Sequence, residues 1–236
     1  MTVTQPVSDT LQALVGAALP HVAFDGWSPA AFRAAVADSG IDPALAATEA
    51  PRGALDLAVA FHRMGDAAMV EQLGAMDLSS MRFRDRVATA VRLRLELAED
   101  REAVRRGTTL FALPQNAPLG AQLIWGTADA IWTALGDTSD DLNWYTKRAT
   151  LSGVYSATVL YWLGDDSHEH ADTWAFLDRR IDEVMQIEKL KAKMRETPVL
   201  KQFADIPNQI FARVRAPRTR RTDVPGQWPV SPEGPR

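Results

Sequence analysis

Apolar residues recur at three- and four-residue spacing along most of the chain, and no segment alternates apolar and polar residues as a half-buried strand would. The pattern predicts nine or ten helices packed as one all-α domain. Local signals support the boundaries: Ser28 precedes Pro29, which suits the first turn of a helix, and Gly40 follows the end of the same helix. The predicted helices span approximately 9–19, 29–39, 42–50, 52–73, 80–98, 99–112, 117–135, 140–163 and 172–196.

The chain divides by composition into three parts. Residues 1–197 form the main helical domain, residues 198–215 form a separate amphipathic helix, and residues 216–236 form a tail rich in proline and charge, which predicts disorder. On a helical wheel, the apolar residues of the second part fall within about 140° of arc and polar residues fill the rest. The membrane-binding candidates are Val199, Leu200, Phe203, Ile206, Ile210 and Phe211.

The amphipathic segment has two interpretations. Five arginines between positions 213 and 221 follow one another without an intervening acid, and together with the apolar face they suit an anionic membrane interface. The same face also suits docking on the protein's own domain or on a second subunit. Pro207 lies near the middle of the segment and kinks or interrupts the helix.

Common catalytic signatures are missing from the sequence. There is no cysteine, which excludes disulfides and thiolate chemistry, and there is no G-x-S-x-G, P-loop, G-x-G-x-x-G or Glu-x-x-His pattern. Residues 165–172 (DDSHEHAD) resemble a metal site, but we interpret them as a polar loop between helices. Asp129 shares a helix face with two tryptophans, and a buried carboxylate needs a partner, so we predict that it pairs with Lys147 or Arg148. We therefore predict no enzymatic activity, no metal and no cofactor.

Two central stretches, residues 119–135 and 154–164, carry large apolar residues on more than one helix face. Such helices either pack in the middle of a bundle or line a cavity for an apolar ligand. Periodicity alone leaves both interpretations open. The candidate lipid-binding residues are Leu123, Ile124, Ile131, Val154, Tyr155 and Val159.

Two large aromatic residues, Trp144 and Tyr145, stand next to each other in the stretch DTSDDLNWYTKRATLSGVY. Neighbouring residues are about 100° apart on a helix, so the two rings cannot both point squarely into one core. We predict that one ring belongs to the core and that the other is exposed for a partner, because Tyr, Trp and Arg dominate interface hot spots. Asp141, Lys147 and Arg148 complete the candidate partner-binding set.

Four stretches carry a resemblance to a known family: DTSDDLNWYTKRATLSGVYSATVLYWLGDDS, ADAIW, DTWAFLDRR and LFALPQN. From about His21 to Val184 the chain resembles the coenzyme Q (ubiquinone) biosynthesis protein nine family. The resemblance implies a TetR-repressor-like multi-helix bundle with a degenerate N-terminal helix-turn-helix and a C-terminal amphipathic helix. It also implies a non-catalytic accessory protein that binds an isoprenoid or quinone lipid in its helical core.

The same resemblance implies three partners: an isoprenoid quinone lipid, a membrane surface and a hydroxylase. The hydroxylase is the di-iron enzyme that acts on demethoxyubiquinone, or its bacterial counterpart. The family's docking patch for this enzyme corresponds to Trp144 and Tyr145 here, and residues 198–215 correspond to its membrane-associating helix. A homodimer is left open.

The alternative function is a ligand-responsive transcription regulator of the TetR type, because the first short helices have the cadence of a helix-turn-helix. Residues 1–50 carry five acidic residues against Arg33 alone, a net charge of −4 that repels a phosphate backbone. We therefore expect no nucleic-acid binding. No basic residue precedes Arg33, as one would in a signal or transit peptide. The sequence thus predicts the bacterial cytoplasm, with the protein peripheral on the inner face of the cytoplasmic membrane.

Overall fold

The structure is a computed structural model that describes residues 6–98 and 100–196. In these ranges the chain forms nine α-helices, one short 3₁₀ helix and no β-strand, so the predicted all-α fold is confirmed. The α-helices are α1 (Asp9–Asp25), α2 (Pro29–Ser39), α3 (Pro43–Glu49), α4 (Ala54–Ala75), α5 (Phe83–Glu96), α6 (Arg101–Ala112), α7 (Ala117–Ala134), α8 (Leu142–Gly164) and α9 (Ala171–Glu196). The 3₁₀ helix spans His168–His170.

Several helix boundaries are fixed by residues that satisfy the free backbone groups at helix ends. The Ser28 hydroxyl accepts a hydrogen bond from the Ala31 N–H at 3.2 Å, and the Asp100 carboxylate accepts one from the Ala103 N–H at 2.7 Å. Gly40 ends α2 with a φ of 65°, in the left-handed region that glycine adopts without strain. The start and stop signals of α2 in the sequence therefore act as predicted.

Helix α1 is longer than its sequence pattern predicts, because it continues through Pro20 to Asp25 instead of ending at Leu19. Proline inside a helix removes one backbone hydrogen bond and crowds the preceding turn. Val22, beyond the proline, is fully buried, and its carbonyl accepts a hydrogen bond from the Gly26 N–H at 2.9 Å. Burial of the Val22 side chain outweighs the local preference of proline to end a helix.

The hydrophobic residues form two clusters joined by the long helix α4. The first cluster packs α1, α2 and α3 against the N-terminal half of α4 and includes Leu14 and Leu57, both fully buried. The second packs the C-terminal half of α4 against α5, α7, α8 and α9 and includes Met69 and Ile131, also fully buried. Helix α6 adds Ala103 to the first cluster and Val104 to the edge of the second. The junction between the clusters lies where α4, α6, α7 and α8 meet.

No helix among the described residues has both the length and the apolar character needed to cross a membrane. The predicted amphipathic segment 198–215 and the predicted tail 216–236 lie outside the described residues. The division of the chain at residue 197 therefore stays a prediction.

Candidate functional site

A cavity of about 430 Å³ lies where α4, α6, α7 and α8 meet. This volume falls within the ~300–1,000 Å³ range of small-molecule sites. The wall is mainly apolar, with Trp27, Phe61 and Phe111 standing among alanine, leucine and glycine positions. The cavity therefore suits an apolar or amphipathic ligand.

The cavity runs from an exposed rim to a buried interior. Ala117 and Ala121 at the start of α7, together with Leu160 on α8, are exposed lining residues. Leu95 and Ala103, which line the same cavity, are almost completely buried. The cavity thus opens beside the start of α7 and extends to the junction of the two hydrophobic clusters.

Glycine allows the close helix contacts that shape the cavity wall. A Cβ atom at Gly120 would lie 2.8 Å from the Cβ atom of Phe111, so only glycine lets α7 approach α6 this closely. At Gly107 a Cβ atom would come within 3.6 Å of Nε1 of Trp27, which donates a hydrogen bond to the Ala103 carbonyl at 3.0 Å. The indole of Trp27 is thereby held in place as a fixed part of the wall.

Four of the six lipid-binding candidates line this cavity, and the other two lie elsewhere. The lining candidates are Leu123, Ile124, Tyr155 and Val159. Ile131 is fully buried in the second hydrophobic cluster. It lies seven residues beyond Ile124, about 10 Å further along the helix axis, and so misses the cavity. Val154 belongs to the same cluster and faces a smaller depression of about 250 Å³ near α5 and α9.

The sequence pattern did not predict the cavity-lining residues that α4 and α6 contribute. Phe61 and His62 on α4, and Val104 and Gly107 on α6, all line the space. These helices have ordinary amphipathic patterns, and the long-range packing that brings them against α7 and α8 leaves no mark in local periodicity. Gly120, which allows the close contact with Phe111 on α6, was the available signal in the sequence.

The interior of the cavity carries a group of connected polar side chains, which we call the polar cluster: His62, Asp66, Arg94, Thr127 and Tyr155. Arg94 Nε donates to Asp66 Oδ1 at 2.7 Å, and Arg94 Nη2 donates to the His62 carbonyl at 3.0 Å. The Thr127 hydroxyl lies 3.0 and 3.1 Å from the two carboxylate oxygens of Asp66 and 2.9 Å from Nε2 of His62. His62, Arg94 and Tyr155 also line the cavity.

Burial sets the protonation of the polar cluster. It lowers the pKa of His62 to about 4, despite the opposing attraction of Asp66, so the imidazole is neutral near pH 7. Burial raises the pKa of Tyr155, so its phenol is also neutral. Arg94 and Asp66 form an ion pair whose charges cancel. The cluster is therefore rich in hydrogen-bonding groups and carries no net charge.

Arg94 fits into the polar cluster because α4 has a glycine beside it. A Cβ atom at Gly65 would lie 2.6 Å from Nη1 and 2.7 Å from Cζ of Arg94. The guanidinium group thus lies flat against the backbone of α4, in space that any side chain at position 65 would occupy. Neighbouring backbone and side chains together hold the Arg94–Asp66 pair at the cavity.

A second polar network links α7 to the start of α8. Arg148 is 1% exposed; its Nε donates to Asp129 Oδ1 at 2.5 Å and its Nη1 donates to Asp137 Oδ2 at 2.9 Å. Its guanidinium carbon lies 4.0 Å from the centre of the Trp144 ring, a cation–π contact. Lys147 Nζ donates to Asp137 Oδ1 at 2.7 Å. The predicted pair between Asp129 and Arg148 is thus present in the structure.

The five partner-binding candidates divide between core and surface. Trp144 and Arg148 are buried. Tyr145 is half-buried, with its ring centre 4.8 Å from that of Trp144. Asp141 is exposed and caps α8 by accepting a hydrogen bond from the Asn143 N–H at 2.9 Å, and Lys147 is half-buried. Asp141 and Tyr145 lie one turn apart on the same side of α8 and form the surface that we call the α8 patch, whereas Lys147 lies about 200° around the helix from Tyr145.

The loop that resembles a metal site connects α8 to α9. Asp165 is buried, and its carboxylate accepts hydrogen bonds from the Ser167 N–H at 2.8 Å and the Thr173 N–H at 2.9 Å. Hydrogen bonds from the side chains of Ser167 and Thr173, together with these backbone bonds, lower the pKa of Asp165 below its usual range. In residues 6–98 and 100–196, no group of three or more His, Cys, Asp or Glu residues is placed to hold a metal ion. The six membrane-binding candidates, Val199, Leu200, Phe203, Ile206, Ile210 and Phe211, lie outside the described residues.

The arrangement of the helices is shared with a TetR transcriptional regulator from Nitrosomonas europaea. The two structures superpose with a TM-score of 0.62 at 17% sequence identity, over 75% of this chain and 98% of the regulator. At this identity the likeness defines the fold alone. The protein is therefore an all-α protein of TetR-like fold with an apolar cavity in its helical core.

Residues 117–188, which form α7, α8 and most of α9, match the COQ9 family model. The ubiquinone biosynthesis protein COQ9 of Rattus norvegicus is 30% identical over 195 residues, and that of Drosophila melanogaster is 32% identical over 202 residues. The matches cover 78% and 79% of this chain. The predicted resemblance to this family is confirmed, and we refer to the matched residues 117–188 as the COQ9 domain.

The chain spans 61% of the length of each of these two relatives. Both are named as mitochondrial proteins, as is the probable COQ9 of Dictyostelium discoideum, which is 28% identical over 76% of this chain. These names point to mitochondria, so the predicted location in the bacterial cytoplasm is wrong.

We expect Arg148→Met to destabilise the fold strongly. The change leaves the buried carboxylate of Asp137 without one of its two cationic partners and leaves Asp129 without Arg148, a loss of about 3–5 kcal/mol in the free energy of unfolding. Urea unfolding followed by circular dichroism measures it. Arg92→Met is the control, because Arg92 pairs with Glu96 on an exposed helix face, where such a pair contributes about 0–1 kcal/mol. Equal losses in the two variants would contradict the assignment.

The same network gives stability a specific dependence on pH. Burial alone would raise the pKa of Asp137, but hydrogen bonds from Lys147, Arg148 and Ser139 lower it to about 2, against an ordinary value of 3.8. A carboxylate with a lowered pKa in the folded state stabilises the protein above pH 3.8, and this contribution is lost as the pH falls through 2. We expect wild-type protein to lose more stability between pH 4 and pH 2 than Arg148→Met does.

Proposed function

We propose that this protein is a non-catalytic accessory protein of ubiquinone biosynthesis that binds an isoprenoid or quinone lipid. The observation that carries the proposal is the 430 Å³ cavity, of which the COQ9 domain contributes the α7 and α8 walls. The names of the relatives describe a biosynthesis protein and specify no reaction. In the proposed role, the chain itself makes and breaks no covalent bond.

The physical need for such a protein follows from the chemistry of isoprenoid quinones. Each methylene group transferred from water to an apolar environment gains about 0.8 kcal/mol, so a lipid with a long isoprenoid tail leaves the bilayer very slowly. A cavity lined by Leu123, Ile124 and Val159 takes up part of this apolar surface without exposing it to water. Binding then lowers the barrier to delivering the lipid to an enzyme.

The proposed enzyme partner is the hydroxylase that acts on demethoxyubiquinone, and the proposed docking site is the α8 patch. Tyr145 stands on a rigid support, because its ring packs against Trp144 and lies 6.5 Å from the ring of Trp125. A rigid tyrosine with an apolar body and a polar end is the kind of residue that anchors protein interfaces. In this role the buried side chains of Trp144 and Arg148 hold Tyr145 in position from the core side.

The proposed membrane contact is the amphipathic segment 198–215. Its support is the sequence: an apolar face that ends in Ile210 and Phe211, followed by five arginines up to position 221. Apolar side chains at the headgroup boundary and cationic side chains near anionic lipids contribute additively to interfacial binding. The segment would hold the cavity close to the bilayer that contains its ligand.

The alternative function, a ligand-responsive transcription regulator, is favoured by the TetR-like fold and by the cavity in its core. It requires α1 to α3 to approach the phosphate backbone of DNA. The chain up to residue 50 carries five acidic side chains and Arg33, so this end of the molecule lacks the cations that phosphate binding needs. The charge of the N-terminal helices supports the accessory function over the regulator.

We expect protein purified without detergent to carry an isoprenoid quinone or quinone precursor, which native mass spectrometry and lipid extraction would detect. Ala121→Trp places a large ring at the exposed rim of the cavity and should lower bound lipid by about tenfold or more, equivalent to ~1.4 kcal/mol. Gln122→Trp is the control, because residue 122 is the exposed neighbour on α7 outside the cavity lining. Lipid-free wild-type protein that also fails to bind quinone-loaded liposomes would exclude the lipid-binding function.

We expect Tyr145→Ala to weaken binding to the hydroxylase while bound lipid is retained. Removal of an interface hot spot costs about 2 kcal/mol, roughly a thirtyfold loss of affinity. Tyr161→Ala is the control, because Tyr161 is an exposed tyrosine of the same helix, stacked on Phe176. Biolayer interferometry with purified hydroxylase measures the affinity. Unchanged binding of Tyr145→Ala would place the interface elsewhere.

We expect Phe203→Ser combined with Phe211→Ser to reduce binding to anionic liposomes, because the change removes two large side chains from the apolar face. Asn208→Ser, on the polar side of the same segment, is the control. Liposome flotation at low and high salt measures the bound fraction, and salt should weaken the arginine contribution. If the double variant floats like wild type, the segment docks on protein and not on lipid.

A further inference from the structure

The polar cluster stands out because it interrupts an otherwise apolar cavity. A cavity that holds only a hydrocarbon tail needs no polar group, and each buried polar group costs free energy unless it is hydrogen-bonded. A buried ion pair such as Arg94–Asp66 adds little net stability, because desolvation offsets the Coulomb attraction. The position of the pair at the interior of a ligand-sized cavity therefore points to a role in binding.

Hydrogen-bond directions in the polar cluster define what it offers a ligand. The Asp66 carboxylate only accepts, so the Thr127 hydroxyl donates to it at 3.0 Å. Thr127 then accepts from His62, whose Nε2 lies 2.9 Å from the hydroxyl oxygen, and His62 must carry its proton on Nε2. This tautomer leaves Nδ1 of His62 as the acceptor of a ring that lines the cavity.

The second cavity-lining group of the cluster is Tyr155, which is 4% exposed and keeps its phenolic proton. A neutral phenol both donates and accepts a hydrogen bond. His62 and Tyr155 lie on different helices, α4 and α8, on which other residues of the apolar cavity wall are also found. The Tyr155 hydroxyl can donate a hydrogen bond to a carbonyl or hydroxyl oxygen of a ligand, whereas Nδ1 of His62 can accept one only from a hydroxyl group. Neither side chain offers a net charge.

The charges of the cavity-lining residues determine which head groups the cavity favours. Among the residues that line the cavity, Arg94 is the one ionised near pH 7, and Asp66 neutralises it at 2.7 Å. An anionic group brought to this end would lose its hydration and would meet Arg94, whose charge Asp66 already neutralises from outside the cavity lining. An uncharged carbonyl or hydroxyl loses far less hydration free energy on entering. The geometry thus favours neutral oxygen-bearing rings.

We propose, building on the lipid-binding function proposed above, that His62 and Tyr155 form a head-group subsite that accepts uncharged quinone or phenol rings and discriminates against anionic head groups. An aromatic carboxylate or a diphosphate on the same isoprenoid tail is excluded by this subsite. The class of ligand is therefore a neutral ring that is already free of acidic substituents. The reaction that supplies it must be one that leaves an uncharged ring.

The test uses the full-length protein and three probes: a quinone with a two-isoprene tail, a hydroxybenzoate with the same tail and an ionised carboxylate, and a hydrocarbon tail without a ring. Tryptophan fluorescence titration at pH 7.5 gives the three affinities. We expect the quinone to bind at least about tenfold more tightly than the carboxylate, which is ~1.4 kcal/mol. Equal or tighter binding of the carboxylate would overturn the proposal.

Two variants assign the preference to the subsite. His62→Phe and Tyr155→Phe keep large rings in the cavity wall and should reduce the preference for quinone over carboxylate, with the affinity for the hydrocarbon unchanged. Ser156→Ala is the control, because Ser156 lines the same cavity but donates its hydroxyl proton to the Ser152 carbonyl of its own helix at 2.7 Å. Tyr155→Phe removes one hydroxyl group and carries the test if His62→Phe fails to fold.

The outcomes separate this proposal from the function on which it builds. If the hydrocarbon and the quinone bind equally to wild type, and neither His62→Phe nor Tyr155→Phe changes any affinity, the cavity binds lipid and the head-group subsite is wrong. If none of the three probes binds to wild type, the lipid-binding function fails and the subsite fails with it. Loss of the quinone preference in the two ring variants, but not in Ser156→Ala, supports both.

Discussion

The buried guanidinium group of Arg148 fixes the geometry on which both proposed sites depend. It joins Asp129 in the middle of α7 to Asp137 in the turn before α8, and it supports the indole of Trp144 from below. An uncompensated charge in this position would be costly, so α7 and α8 are held in one register. That register places the α7 and α8 walls of the cavity opposite α4 and α6, and it holds Tyr145 at the surface. Without the Arg148 ion pairs, neither the α7 and α8 walls of the cavity nor the α8 patch would have a defined position.

The cavity persists because small residues serve two purposes: glycines allow close backbone packing, and alanines leave open space. Protein interiors are packed nearly as densely as organic crystals, so a void of this size needs a rigid frame. Gly120 lets α7 contact Phe111 closely, and Gly65 lets Arg94 lie against α4. The frame is tight at these points while alanines at positions 58, 103 and 121 leave the interior unfilled.

Local patterns predict helices, their capped starts and the pairing of Asp129 with either Lys147 or Arg148, because these follow from spacing along one or two neighbouring helices. They fail where long-range packing decides. Val22 is buried beyond Pro20, so α1 continues where proline would end it. Ile131 lies on the same face of α7 as Ile124 but further along the helix axis. Only the packing of the other helices determines where along α7 the cavity lies. The polar cluster joins α4, α5, α7 and α8, so no single stretch of sequence contains it.

Helix α8 also sets a lower limit on the size of the proposed enzyme interface. Tyr145 lies near its start and Leu160, at the rim of the cavity, lies fifteen residues further on, about 22 Å along the axis. An enzyme that touched only the α8 patch would not reach the opening through which the proposed lipid ligand would leave. A standard interface buries about 800 Å² on each partner, which corresponds to a patch roughly 30 Å across. A contact of ordinary size, anchored at Tyr145 and extended along α8, is therefore wide enough to cover the rim and to receive the lipid without exposing it to water.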